Sequence, residues 1–185
     1  MTNCKVELLS KARDFIEKNE IDTFRVGAVD LDGVWRGKQL SAEYFLESVA
    51  MNGTNIANVI FGWDVADEVV DGLSYTNWDT GYPDVKFVPD LQTLRLIPWE
   101  PRTASVICDV KTLAGQALVL SPRDTLRVAV ERSNDMGYVP KAAYEFEFYL
   151  FDEPIADISD MPGSPTLAIT GLALMLSGRK WRGAA

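Results

Sequence analysis

Histidine is absent from all 185 residues. That excludes Ser-His-Asp and Cys-His catalysis, histidine-ligated zinc and any histidine general base. Chemistry on this chain must draw on carboxylates, Lys, Arg, Tyr, backbone groups or a metal. Cysteine is scarce: Cys4 and Cys108 stand far apart and share no motif. They read as reduced thiols of a cytosolic protein, with Cys108 in an apolar strand as core rather than nucleophile. Long apolar runs are also missing, and none reaches the roughly 18 residues that a spanning helix needs. Met1-Thr2-Asn3-Cys4 leads into a polar helix, not a signal peptide, so a cytoplasmic protein without a membrane partner is expected. Positive charge is in deficit, with 18 Lys and Arg against 27 Asp and Glu and a net charge of −9. Nucleic acid is a poor partner for such a chain, because phosphate backbones need clustered Lys and Arg. Anionic membrane surfaces are disfavoured for the same reason.

What is present is a globular composition, 47% apolar and 24% charged. The length fits one domain of ordinary size or two small ones. The most informative stretch is Tyr144-Glu145-Phe146-Glu147-Phe148-Tyr149-Leu150-Phe151. It reads as a strand, so Glu145 and Glu147 share one face and Phe146 and Phe148 the other. Two adjacent carboxylates repel unless a positive charge stands between them. Mg2+ or Mn2+ suits oxygen ligands and supplies that charge. The competing reading is a solvated strand face whose glutamates pair with lysines. The flanking aromatics argue for a central strand and so count against the solvated face, leaving both readings open.

Residues 4–19 fit an amphipathic helix, with Val6, Leu9, Arg13 and Ile16 near one stripe and Leu8, Ala12 and Phe15 widening it. Thr23 to Leu31 reads as a strand, Asp32-Gly33 as a hairpin signal, and Val34 to Lys38 as the returning strand. Ser41 caps a predicted helix over 42–51, and Gly53 stops it. Residues 55–80 read as irregular but packed. Short strands are expected at 85–88 and 93–97, and a clear one at 104–110. Ser121-Pro122-Arg123-Asp124 starts a helix that runs to about Met136 and ends at Gly137. Prolines 98 and 101 fix an extended linker and suggest a boundary near residue 100. Arg36 and Lys38 are expected to be solvated on their hairpin. Trp63, Trp78 and Trp99 are expected to pack, and Arg95 to pair with a nearby acid such as Asp90.

Several ordered blocks together resemble the glutamine synthetase superfamily. They are Val29-Asp30-Leu31-Asp32-Gly33-Val34-Trp35-Arg36-Gly37-Lys38, Gly81-Tyr82-Pro83-Asp84, and Pro89-Asp90-Leu91-Gln92-Thr93-Leu94-Arg95. Ile97-Pro98-Trp99, Thr103 to Asp109, Ser121-Pro122-Arg123, Gly137-Tyr138 and Glu145 to Phe151 follow in order. The form Asp-Gly-x-x-Arg-Gly-Lys looks more like an amine-ligating branch, such as the γ-glutamyl-polyamine synthetases, than the glutamate–ammonia ligases.

The resemblance implies an α+β fold: an N-terminal β-grasp domain over 1–100, then the truncated start of the catalytic domain over 101–151. It implies an ATP-dependent ligase that forms a γ-glutamyl amide from glutamate and ammonia or an amine, through γ-glutamyl phosphate. Mg2+ or Mn2+ would be the cofactor and ATP the co-substrate. By position, Glu145 would serve the nucleotide-side metal and Glu147 the glutamate-side metal. Asp30 matches the aspartate that one subunit lends to its neighbour's active site to bind and deprotonate the incoming ammonium, with Asp32 as the rival. Members assemble as double rings. Residues 152–185 depart from the family pattern and read as a frameshifted or truncated tail. The family's remaining metal ligands, glutamate-binding arginines and nucleotide pocket would lie past Phe151. The alternative is therefore a non-catalytic β-grasp fragment that associates with full-length subunits. Residues 1–100 are expected to fold alone.

Overall fold

Alternating apolar side chains make Thr103–Lys111 (β6) a strand with Ala104, Val106, Cys108 and Val110 on one face, all fully buried. The computed structural model describes residues 2–143, and there β6 is the strand around which the sheet is built. Thr23–Val29 (β1) pairs with it in parallel, Thr23 opposite Thr103 and Gly27 opposite Ile107. On the other side Asp84–Pro89 (β4) and Arg95–Leu96 (β5) run antiparallel along its two halves. Trp35–Ser41 (β2) closes one edge against β1, and Thr54–Ala57 (β3) closes the other against β4. The order is β2-β1-β6-β4-β3, with β5 off that path. Lys38 on one edge donates to the Asn55 carbonyl on the other at 2.5 Å, so the sheet curls until a single side chain bridges its edges.

Helices cover the apolar face. Thr2–Lys18 (α1) buries Ala12 and Ile16, with Leu9 and Phe15 packed against the core. Ser41 caps the next helix, accepting from the Tyr44 amide at 3.2 Å. That helix comprises Ala42–Tyr44 (α2), a π turn over Phe45–Val49, and Ala50–Asn52 (α3). Phe45 and Val49 lie on its inward face, and Phe45 stacks on Phe24 of β1 with ring centroids 4.0 Å apart. Pro122–Asp135 (α4) starts at Ser121, whose Oγ accepts from the Asp124 amide, and stops before Gly137 at φ +83°. Burial pushes the Cys108 thiol up to about 12, which leaves it neutral and unreactive as a core residue.

Charge, more than apolar packing, fixes α4 to the sheet. Arg123 reaches Asp90 at 2.6 Å and Asp109 at 2.7 Å; Arg127 also binds Asp109, at 2.7 Å, and Asp124. Lys111 of β6 meets Asp124 at 3.1 Å. Leu126 and Val128 of the same helix are exposed.

The mixed α+β architecture agrees with the sequence-based expectation, and several details differ. The region 55–80 contains β3 in its first residues, a strand too short and too weakly patterned to read from sequence. The strand expected at 93–97 shrinks to Arg95–Leu96, because Asp90 caps a 3-10 turn over Leu91–Thr93. Arg95 donates to Ser105 Oγ, while Asp90 is taken by Arg123. Trp63 packs, but Trp78 and Trp99 are mainly exposed. The boundary suggested near residue 100 falls inside one sheet, since β6 lies beyond it and pairs with strands before it.

Gly27 and Gly37 face each other across β1 and β2. A Cβ on Gly37 would stand 2.1 Å from the Val26 carbonyl oxygen and 2.8 Å from the Gly27 Cα. Both obstacles are backbone, so no side-chain rotation relieves the clash. Gly37→Ala is expected to lower stability by about 1–3 kcal/mol. Urea unfolding measures this, and an unchanged midpoint would show that the strands separate without strain.

Candidate functional site

A hairpin between β1 and β2 brings Asp30 to Arg36 across five intervening residues. Gly33, at φ +81°, allows the tight turn. The Asp30 amide donates to the Val34 carbonyl and the Gly33 amide to the Asp30 carbonyl. The Asp30 carboxylate then organises the turn itself. Its Oδ1 accepts from the Asp32 amide at 3.0 Å and the Val34 amide at 2.8 Å, and its Oδ2 accepts from Arg36 Nε at 2.7 Å. Asp30 is 1% exposed and Arg36 only 8%.

The remaining edge of Arg36 turns to the segment after the 3-10 turn Asn58–Phe61. Its Nη1 pairs with Asp67, its Nη2 donates to the Asp64 carbonyl at 2.7 Å, and the guanidinium lies 5.2 Å from the Trp63 ring centroid. Burial works against this charge, but Asp67 and Asp30 more than offset it, so the Arg36 pKa is raised. Asp64 in turn accepts from the Ala66 and Glu68 amides, and Asp67 adopts φ +65°. Further along, Thr76 donates to buried Asn58, and Asn58 donates to the Tyr75 carbonyl. Among the described residues every buried side-chain nitrogen and oxygen has a partner.

The structure thus places Asp30 in a hydrogen-bonded, solvent-shielded position, and Asp32 exposed at the hairpin tip. Arg36 is not solvated as its hairpin position suggested. Its side chain crosses from the sheet to the loop, a long-range contact that local patterning does not carry. Lys38 is exposed but bonded to Asn55. Glu145 and Glu147, the residues expected to hold metal, lie outside the described residues. Among the described residues no group of three or more His, Cys, Asp or Glu is placed to hold a metal ion. None of the described helices is long and apolar enough to cross a membrane.

No family model matches the chain. A glutamate–isopropylamine ligase from Pseudomonas sp is 61% identical over 149 residues, which cover 80% of this chain and 32% of that protein. A γ-glutamylethanolamide synthetase from Streptomyces coelicolor is 33% identical over 136 residues, 74% of this chain and 29% of its own length. Among solved structures, a GmaS–ADP complex superposes with a TM-score of 0.51 at 22% identity, over 66% of this chain and 25% of the other. A glutamine synthase homologue gives 0.54 at 18% identity, over 63% and 27%. At those identities the structural likeness concerns the fold alone. The chain spans about a third of the length of these two curated relatives.

Proposed function

We propose, from the premise that this chain belongs to the glutamine synthetase superfamily, that it is the N-terminal part of an ATP-dependent ligase joining glutamate to a small alkylamine. The observation that carries this is the 61% identity to the glutamate–isopropylamine ligase across 149 residues. It supports the amine-ligating branch over the ammonia-using one. On this reading 1–100 and 101–151 correspond to the β-grasp domain and the start of the catalytic domain, although one sheet joins them. The reaction would proceed through γ-glutamyl phosphate, and Mg2+ or Mn2+ would offset the charge of ATP and the phosphoryl group. The described residues supply no such ion site, and Glu145 and Glu147 are the ligands we propose.

Asp30 is the group proposed to act on the incoming amine of a neighbouring subunit in a ring. As placed here its carboxylate organises the hairpin, and the exposed carboxylate at the tip is Asp32. The second reading is a non-catalytic unit that lends this hairpin, with Asp32 exposed at its tip, to longer subunits. Phosphate release by the purified chain, with ATP, Mg2+, glutamate and isopropylamine, separates the two. Amine-dependent release supports the ligase in this chain. No release alone, but assembly with a full-length relative whose own hairpin aspartates are replaced and recovery of its activity, supports the second. In that mixture Asp30→Asn and Asp32→Asn tell which carboxylate matters.

A further inference from the structure

We propose that Arg36 is a positioning residue that ties the 62–70 loop to the 30–35 hairpin, so that the two open and close as one body. The loop is closed on itself. The Asp64 amide donates to the Glu68 carbonyl, the Val70 amide to the Gly62 carbonyl, and Trp63 bridges Val69. Asp64 Oδ1 receives two further amides of the same turn. A loop wired internally in this way is a rigid small unit whose attachment elsewhere decides where it stands.

Arg36 supplies that attachment on the hairpin side. Its backbone belongs to β2, its Nε is held by Asp30, and both terminal nitrogens and one face of the guanidinium are given to the loop. Asp30 fixes the rotation of the planar fork and thereby aims the other two nitrogens. A guanidinium can serve three separated acceptors at once because its donors diverge in one plane. An ammonium on a lysine stem is a single point and cannot span the same set. The carboxylate at the hairpin and the backbone of the loop therefore share one rigid connector. If the ligase reading holds, the loop sets where the Asp30–Asp32 tip stands; the coupling itself does not depend on that reading.

Amide hydrogen exchange on the full chain tests the coupling without assaying any reaction. In the unmodified chain, the amides of Asp32 and Val34 and those of Ala66, Glu68 and Val70 are expected to share one opening, with the same dependence on low urea. Arg36→Met should speed both groups about tenfold or more, while amides of β6 stay protected. Arg36→Lys should restore protection at Asp32 and Val34, by keeping a cation beside Asp30, but not at the loop. Asp67→Asn tolerates the left-handed backbone and should speed the loop about threefold. Hairpin and loop opening with different urea dependence in the unmodified chain would overturn the proposal. So would a loop unchanged by both Arg36→Lys and Asp67→Asn. A side chain that merely filled space would give the same result for Lys and Met.

Discussion

A chain cut after residue 100 is expected to show no cooperative unfolding transition, whereas one ending at residue 143 keeps it. The cut removes β6, the strand between β1 and β4. It leaves the inner edge of β1 without its parallel partner, strips β5 of its antiparallel partner and leaves β4 paired only with β3. It also strips Val106 and Val110 from the core, both fully buried. Those two side chains alone account for roughly 3–6 kcal/mol at about 1.5–3 each. A domain of this size holds only about 5–15 kcal/mol in total. Phe24, Val26 and Phe87 would face water where β6 had been. Tryptophan fluorescence during urea unfolding, together with far-ultraviolet circular dichroism, reads the outcome. A sharp transition in the 1–100 chain would support a domain division near Pro98 and Pro101.

Replacing Asp30 with alanine should cost roughly 3 kcal/mol, near the lower end for breaking a buried ion pair. The change leaves Arg36, 8% exposed, without its innermost partner and frees two amides of the hairpin. Asp67 still faces the guanidinium, which holds the loss at that lower end. Arg36→Met alone should also destabilise, because Asp30 keeps its charge in a buried place. The pair replaced together should lose less than the sum of the single changes, since neither charge is then stranded. Denaturation of the four proteins in one buffer measures the coupling. Additive losses would mean that Asp30 and Arg36 act independently, with the hairpin amides carrying the whole effect of Asp30.

These two cases mark where sequence reasoning holds and where it ends. Ser121-Pro122 starts a helix, Gly137 stops one and Asp32-Gly33 turns a hairpin because each signal acts within a few residues of its own backbone. The alternation in 104–110 likewise fixes which side chains share a face. Arg95 shows the limit of such local reasoning. The nearby acid Asp90 faces α4, and Arg123, 33 positions away in sequence, takes it. Arg36 shows it at the candidate site, where an ordinary hairpin position conceals a cation pinned by a carboxylate, a loop and an indole ring.

By itself the sequence determined that this chain has no histidine chemistry, that it is acidic and globular, that its main helices and most strands lie where they do, and which superfamily it belongs to. These follow from composition, short-range backbone preferences and ordered motifs. Only the tertiary structure decided that β6 is central, that the sheet curls edge toward edge, and that Asp30 is enclosed while Asp32 is exposed. Burial and pairing depend on which distant segments meet, and a parallel contact such as β1 with β6 is closed by some eighty residues of intervening chain.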